Sequence, residues 1–412
     1  MTDKKNTFDK LAKIHPKLEG IISRKSWDYI DASDGKTKKV LHPMWKDNAE
    51  KILSNGLYKK HGGVYNLKGI CNGKATIAVG AGQSFNKNCH TLKALHDIDG
   101  VKNWRDRDFI IIASNHQYKP LLKMGIIPDF VILADGSDVV MDQLTKDIPP
   151  HGKNTILLAG LQCSYNVCKE WSEQDRRISF YTPRTEGLPK LFEKKTKEKW
   201  DKHLIYQGGN VLNTAWNLSL TFFGSTVFMA LGNDLSYPIK DDVEEQRKSY
   251  YADGDYSSNL ANKRDEAHKQ KKWLGFSLSK NKIYSHGNLK DNYKIELDLV
   301  GTSPTLWVYK TWIESQIIAN ERAKIHYFNC TEGGILGVMC SDDSDEGLKN
   351  PDNWFMLDEK CSKWHTATLE DAANQFVKAK RLIQCQKLGI LTDALHAMGS
   401  VQPITAYASA VR

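Results

Sequence analysis

The sequence predicts an α/β protein with a Rossmann-like, mostly parallel sheet and helices on both faces. Short apolar runs recur from Ala75 onward, and each is followed by Gly, Asn or Asp. Helix-length segments separate these runs, which is the alternation expected of parallel strands joined by crossover helices. No internal repeat of about 20 to 50 residues occurs, so solenoids and propellers are disfavoured.

Seven apolar runs have strand length, and three longer segments have the apolar spacing of helices. The predicted strands are Thr76–Val79, Phe109–Ala113, Phe130–Ala134, Thr155–Ala159, Ile178–Tyr181, Thr226–Leu231 and Lys324–Phe328. The predicted helices are Tyr118–Gly125, Val211–Phe223 and Thr305–Asn320.

The sequence changes character on either side of this α/β domain, which is predicted to span residues 73–340. Residues 1–72 mix charged and aromatic positions and contain a helix-like stretch, Asp47–Leu57, so we predict a helical N-terminal extension. After residue 340, Ser341–Gly347 is acidic and Leu369–Leu388 has helical spacing. Residues 341–412 are therefore predicted to form an acidic linker and a helical C-terminal region.

Composition narrows the class of protein. The apolar runs fall far short of the ~20 residues that a membrane-spanning helix needs, and the first residues have no signal-peptide pattern. None of the 8 cysteines forms a CxxC pair, which disfavours a zinc ribbon. We therefore expect a cytoplasmic protein without a membrane span.

Polar residues follow several predicted strands. Gly80 and Gly82 with Ser84 form a turn in which the backbone can approach a phosphate, although a tight strand-to-helix turn would explain the same pattern. Asn115 follows the second strand and could bind a base or ribose. Asp135 follows the third and could hold a hydroxyl or a divalent ion.

Three later segments supply further candidates. Gly208-Gly209-Asn210 opens a predicted helix, where glycine would admit a ligand without a Cβ clash. Asp234, Ser236 and Tyr237 follow the strand that comes next, and they add a carboxylate and two hydroxyls. Glu332 lies in a glycine-rich turn after the last predicted strand and is a candidate acid or base.

The order of these motifs resembles the motility accessory factor and 6-hydroxymethylpterin diphosphokinase-like family. The motifs are Gly80-x-Gly82-x-Ser84, Leu122-x-x-Gly125-Ile126-x-Pro128-Asp129-Phe130 with Asp135, Gly208-Gly209-Asn210-Val211, Gly232-x-Asp234-Leu235, and Asn329-x-Thr331-Glu332-Gly333-Gly334 with Gly337. The resemblance implies a Rossmann-type nucleotide-binding fold that is similar to bacterial CMP-sialic acid transferases.

The resemblance also implies roles for residues. The nucleotide would be held by Gly80, Gly82, Ser84, Asn115, Asp135, Gly208, Gly209, Asn210, Asp234, Ser236 and Tyr237. The catalytic His of the sialyltransferases would fall near Gly301-Thr302, where this chain has none. The general base is therefore sought among Asp298, His286 and Glu332.

Two enzymatic functions follow from the resemblance, and a third interpretation has no catalysis. The first is a glycosyltransferase that moves a sugar from a nucleotide donor to a hydroxyl on protein Ser or Thr, a glycan or hydroxymethylated DNA, with no cofactor or metal required. The second is a diphosphokinase that acts on a pterin-like alcohol with ATP and Mg²⁺, held by Asp135 and Asp234. The third is a nucleotide-binding protein without activity.

The net charge of +9 raises the question of a polyanionic partner. The excess is concentrated in Lys190–His203, Lys263–Lys272 and the N-terminal region. If these segments border the nucleotide crevice, DNA becomes a reasonable acceptor. The alternative is that the charge serves only solubility.

Overall fold

The computed structural model describes most of the chain between residues 13 and 376. The described residues are 13, 16–18, 21–22, 24–99, 107–185, 187–252, 274–278, 297–342, 344, 347 and 350–376. His286, Lys263–Lys272 and the part of Leu369–Leu388 after residue 376 lie outside them.

A parallel sheet of nine strands forms the centre of the molecule and confirms the predicted fold class. Its spatial order is β14-β11-β7-β1-β2-β3-β4-β5-β6, and the pairings between neighbours are all parallel. The strands are β1 Ala75–Val79, β2 Phe109–Ser114, β3 Phe130–Leu133, β4 Ile156–Gly160, β5 Ile178–Pro183, β6 Leu204–Ile205, β7 Val227–Leu231, β11 His326–Asn329 and β14 Trp364–Thr366.

All seven predicted strands occur within two residues of their predicted ends. The sequence did not reveal β6 and β14, because two or three residues are too short to show a periodic pattern. β14 lies in the region predicted as linker and C-terminal helix, yet it pairs with β11. The sheet therefore continues beyond residue 340.

Two small antiparallel sheets accompany the large one. One contains β8 Tyr237–Pro238, β9 Leu274–Leu278 and β10 Leu297–Gly301, in the order β8-β10-β9. The other pairs β12 Val338–Cys340 with β13 Trp354–Met356. Asp298 lies in β10, opposite Ser277, and thus outside the nine-stranded sheet.

Helices connect the strands and cover both faces. They are α1 Arg24–Ser54, α2 Leu57–His61, α3 Phe85–Asp99, α4 Asn115–Lys123, α5 Met141–Leu144, α6 Tyr165–Glu173, α7 Leu188–Thr196, α8 Val211–Leu218, α9 Val243–Lys248 and α10 Pro304–Ala319, and residues 369–376 are also helical. Shorter 3₁₀ turns lie between them, and α8 continues as a π-helical turn over Ser219–Phe223.

The helix predicted at Asp47–Leu57 is the end of a much longer helix. α1 contains 31 residues and stops before Gly56, whose φ of 80° ends the helical backbone. About the first three quarters of α1, residues 24–46, lies before the predicted stretch, because charged and small residues there obscure the apolar periodicity.

Each face of the sheet has its own core, as expected for a parallel sheet that is buried on both sides. Val79 and Ile111 point to a face covered by helices such as α3, α4, α6 and α7. Ala78 and Ile112 point to the opposite face, where α8 and α10 contribute Trp216 and other apolar side chains.

The connections create a crevice at the carboxyl ends of the strands. β1 leads through α3 to β2 on one side, whereas the chain returns through α8 to β7 on the other side of β1. This reversal of strand order next to β1 is the position at which open α/β sheets bind ligands. In the part of the chain described here, no helix is long and apolar enough to cross a membrane.

Candidate functional site

The structure brings most of the predicted site residues to one edge of the sheet. The turn at Gly80 follows β1, and Asn115 and Asp135 follow β2 and β3. Asp234 follows β7, and Glu332 follows β11. Because these strands are parallel neighbours, their carboxyl ends lie side by side, as the sequence predicted.

The glycine turn after β1 is packed tightly against the turn after β7. The amide N–H of Gly80 donates to the carbonyl of Leu231 at 2.8 Å, and that of Gly82 donates to Gly232 at 2.9 Å. A Cβ on Gly80 would lie 2.5 Å from the Gly232 carbonyl oxygen, and one on Gly82 would overlap the Asp234 carboxylate. These glycines are therefore required by the protein's own packing, whether or not a phosphate binds there.

Asp234, which follows β7, binds the last residue of the glycine turn, Ser84. Its carboxylate accepts a hydrogen bond from the Ser84 backbone N–H at 2.9 Å and another from the Ser84 hydroxyl. Both residues are buried. Burial raises the pKa of Asp234, although the two bonds from Ser84 oppose that rise by stabilising the carboxylate.

The glycine-rich turn after β11 packs against the same corner. Asn88 of α3 donates to the Glu332 carboxylate at 3.0 Å and to the Cys330 carbonyl at 2.9 Å. A Cβ on Gly334, whose φ is 75°, would overlap the backbone of Asp234. Glu332 is half-buried and has a φ of 55°, which is unusual for a residue with a side chain.

We call this assembly the closed corner: Gly80–Ser84, Gly232–Asp234 and Cys330–Gly334. The two hydroxyls predicted beside Asp234 also make internal contacts. The Ser236 hydroxyl donates to the Asp234 carbonyl at 3.3 Å, and the buried Tyr237 hydroxyl donates to the Thr302 carbonyl at 3.3 Å.

Residues 248–252, which follow α9, lie over the glycine turn. The Gln83 side-chain amide donates to the Lys248 carbonyl at 2.9 Å, and the Ala252 N–H donates to the Ala81 carbonyl at 2.9 Å. Tyr251 stacks on the His116 ring, with centroids 4.3 Å apart. This segment thus packs on the turn after β1 and on His116 in the first turn of α4.

The ends of β2 and β3 present polar groups to solvent. Asn115 is half-buried, and its amide donates to the Gln143 side-chain oxygen at 2.6 Å. Asp135 is exposed, and its carboxylate accepts a hydrogen bond from the Ser137 N–H at 2.8 Å. Both side chains keep acceptor oxygens that a ligand can use.

A shared metal ion at Asp135 and Asp234 does not fit this geometry. The two residues follow β3 and β7, which are three positions apart in the sheet, and neighbouring strands are about 4.8 Å apart, so the strands are separated by about 14 Å. Among the residues that the structure describes, no group of three His, Cys, Asp or Glu side chains is arranged to hold an ion.

The Gly-Gly pair before α8 has a structural reason as well. Gly208 and Gly209 have φ values of 59° and 85°. Side chains at these positions would overlap the rings of Trp312 and Tyr309 on α10. Asn210 then caps α8 by accepting the Asn213 N–H at 2.8 Å. Gly209 is nevertheless exposed, so a ligand can reach the first turn of α8.

A chain of side-chain hydrogen bonds fixes the turn that precedes α8. The Gln162 side chain donates to Gln207 at 2.9 Å, and Gln207 donates to the Tyr181 hydroxyl at 2.9 Å. The Tyr181 hydroxyl in turn donates to the Leu133 carbonyl at 3.0 Å. The network ties the ends of β3, β4 and β5 to the turn before Gly208.

Sequence reasoning missed one contributor to this edge, the helix α1. Asn48 of α1 is buried, and its amide donates to the Gly136 carbonyl at 2.8 Å and to the Gln162 carbonyl at 3.2 Å. Trp45 lies one turn earlier, against Gly136. The only signal in the sequence was the aromatic content of the first 70 residues, which does not say where those rings pack.

We call the second area the open side: Asn115, Asp135, Gly209–Asn210 and Trp45, at the ends of β2 and β3 and the start of α8. It differs from the closed corner because its polar groups remain accessible.

One motif residue belongs to the opposite edge. Asp129 precedes β3, where it forms a buried ion pair with Arg107 and accepts the Ile111 N–H at 2.8 Å. Burial raises the pKa of Asp129 to about 6, against the effect of the arginine. Asp129 therefore stabilises the amino ends of β2 and β3 and lies away from the crevice.

The basic stretch Lys190–His203 also lies away from the crevice. It spans α7 and the turn before β6, the last strand in the sheet, which is five strands, or about 24 Å, from β1. A surface cavity of about 490 Å³ there is lined by Glu193, Lys197, Glu198, Lys199, Trp200 and Asp201. The mixture of charges gives no preference for a polyanion.

Comparison with known families supports the motif assignment. Residues 50–240, less than half of the chain, match the model of a family described as 6-hydroxymethylpterin diphosphokinase MptE-like. The predicted resemblance is thereby confirmed for this segment. It contains four of the five motifs, and the fifth, Asn329–Gly337, lies outside it.

Among solved structures, a MAf glycosyltransferase from Magnetospirillum magneticum AMB-1 is similar at 15% sequence identity and a TM-score of 0.44. The similar part covers 70% of this chain and 37% of that chain, so this chain spans well under half of that protein. No curated protein matches the sequence.

Proposed function

We propose that this protein is a glycosyltransferase that binds a nucleotide-activated sugar at the open side and transfers the sugar to a hydroxyl. The observation that supports this most is the accessibility of Asn115, Asp135 and the first turn of α8 at neighbouring strand ends. An amide and a carboxylate suit the hydroxyls of ribose or sugar, whereas a helix N-terminus suits a phosphate.

In this reaction the bond between the anomeric carbon of the sugar and the phosphate oxygen breaks, and the nucleotide leaves with the electron pair. Backbone N–H groups at the start of α8 would stabilise the charge that develops on the leaving phosphate. The acceptor oxygen bonds to the same carbon and gives its proton to a base. Asp298, His286 and Glu332 remain the proposed bases. Glu332 lies in the closed corner, so it fits only a donor whose sugar extends from the open side to that corner.

Asp234 has a different role in this proposal from the one predicted. Because its carboxylate is bonded to Ser84 inside the closed corner, it would hold the β1 and β7 turns together rather than contact the nucleotide. Ser84, Ser236 and Tyr237 would act in the same indirect way.

The second candidate is a Mg²⁺-dependent diphosphokinase, which the family match favours. Mg²⁺ usually needs one or two carboxylates together with substrate phosphates. Asp135 is the accessible carboxylate of the pair proposed for this role, since Asp234 is buried. A diphosphokinase would therefore depend on Asp135 alone and on the ATP phosphates.

The acceptor is proposed to be a protein hydroxyl or a glycan in preference to DNA. DNA binding would require clustered positive charge near the crevice. Lys190–His203 lies at the far edge of the sheet and contains three acidic residues among its lysines.

Thermal shift with a panel of ligands separates the candidates. We expect the protein to be stabilised by CMP, UDP or their sugar conjugates without added Mg²⁺. Stabilisation only by ATP with Mg²⁺ would contradict the glycosyltransferase and favour the diphosphokinase. Release of free nucleotide from the stabilising sugar conjugate, in the presence of a hydroxyl acceptor, would then measure turnover.

A further inference from the structure

The rim of the open side is built by residues outside the family-matched segment 50–240. Trp45 comes from α1, and Tyr309 and Trp312 come from α10. All three aromatic side chains are half-buried. The matched segment thus supplies the strand ends, while helices outside it supply the rings around them.

Trp45 packs against Gly136, the residue that follows the exposed Asp135 of the open side. If Gly136 had a Cβ, that atom would lie 2.8 Å from Cδ1 of Trp45 and 3.0 Å from Cε of Met44. Gly136 follows Asp135, which is exposed. A half-buried indole and an exposed carboxylate therefore belong to adjacent positions at the end of β3.

The attachment of α1 does not require the Trp45 ring. Asn48 bonds to the carbonyls of Gly136 and Gln162 and accepts the Tyr165 N–H at 3.3 Å. Ala49 and Ile52 are buried in the core below α7 and α6. These contacts hold the helix without the Trp45 ring, whose side chain is half-buried.

We propose that Trp45 binds the donor by stacking on the planar base of the nucleotide, and that Asp135, which precedes the Gly136 contacted by Trp45, accepts a hydrogen bond from the base or ribose. This inference rests on the proposed function, because it names the part of the donor that the open side holds. Stacking of a base on an aromatic side chain is worth about 1–3 kcal/mol, which corresponds to about 10- to 100-fold in affinity.

The test compares nucleotides with a ligand that lacks the base. Dissociation constants for CMP, UMP, AMP, GMP and ribose 5-phosphate would be measured by calorimetry for the wild type, Trp45→Ala and Trp45→Phe. Val40→Ala is the matched control, since Val40 is on the same helix and 73% exposed.

We expect Trp45→Ala to weaken the best nucleotide about 10- to 100-fold and to leave ribose 5-phosphate unchanged. Trp45→Phe should retain most of the affinity, and Val40→Ala all of it. Unchanged nucleotide binding by Trp45→Ala would overturn the stacking role alone. An equal loss for ribose 5-phosphate would show that Trp45 only supports the fold, whereas a wild type that binds no nucleotide would overturn the proposed function as well.

Discussion

The closed corner and the open side lie on one edge of the same sheet and use similar residues in opposite ways. In the closed corner, the buried carboxylate of Asp234 accepts two hydrogen bonds from Ser84, and a side chain on Gly334 would overlap the Asp234 backbone. On the open side, Asp135 is exposed, and Asn115 keeps an accessible acceptor. Position in the sheet alone therefore does not make a residue a ligand contact.

The comparison also separates two reasons for glycine in a motif. Gly80 and Gly82 are needed because strands β1 and β7 approach each other closely after their ends. Gly209 is needed because its φ is 85° and because the Tyr309 ring lies where its Cβ would be. Gly209 is nevertheless exposed. Of these three glycines, only Gly209 is exposed, so a phosphate can approach its backbone.

The largest predicted effect is on stability, from a methyl group added to the closed corner. Gly334→Ala should lower the free energy of unfolding by about 3 kcal/mol, since overpacking adds to the cost of a positive φ. Gly73→Ala is the matched control, because Gly73 has a φ of 71° with no heavy atom within 4 Å of its Cβ position. The control should lose about 1 kcal/mol. Equal losses in urea denaturation would show that the corner is loosely packed.

The next prediction compares a polar residue of the closed corner, Asp234, with one of the open side, Asn115. Asp234→Ala should lower the free energy of unfolding by about 1–3 kcal/mol, because the Ser84 donors lose their buried partner. Asn115→Ala should change stability by less than about 1 kcal/mol but weaken nucleotide binding about 10-fold, as expected for a lost hydrogen bond to ligand. Chemical denaturation and calorimetry on both variants measure the two effects. A stable Asp234→Ala protein that no longer binds nucleotide would reverse the assignment.

The smallest predicted effect is a pH dependence of the closed corner. Burial raises the folded-state pKa of Asp234 above its usual value of 3.8, so the folded protein binds more protons than the unfolded chain just above that pH. This contribution to stability is complete below pH 3.8 and decreases as pH rises through the folded pKa. Asp234→Asn should remove that decrease. We would compare unfolding free energies of the two proteins at intervals from pH 4 to 7, and parallel curves would contradict the shift.

Apolar runs were enough to predict the fold. The length of Phe109–Ala113 and its counterparts, with the Gly, Asn or Asp that follows them, favours buried strands, and their order with the intervening helices implies a parallel sheet. The same order predicts that Asn115, Asp135 and Asp234 lie at one edge of the sheet.

The partners of these residues could not be predicted, because each depends on a distant segment. Ser84 meets Asp234 across 150 positions, and Gly209 is constrained by a ring on α10. Asn48 determines which side of α1 faces the crevice, because it binds the Gly136 and Gln162 carbonyls. It is a single polar residue in a helix without a clear apolar stripe. Local periodicity has no information about such contacts.

The central claim is that the nucleotide binds at the open side and not in the closed corner. Photolabelling with an azido derivative of the stabilising nucleotide, followed by mass spectrometry of the peptides, tests it directly. We predict label on peptides that contain Trp45, Asn115, Asp135 or Gly209–Asn210, which unlabelled nucleotide should suppress. Competed label confined to Gly80–Ser84, Gly232–Tyr237 and Thr331–Gly334 would contradict the account.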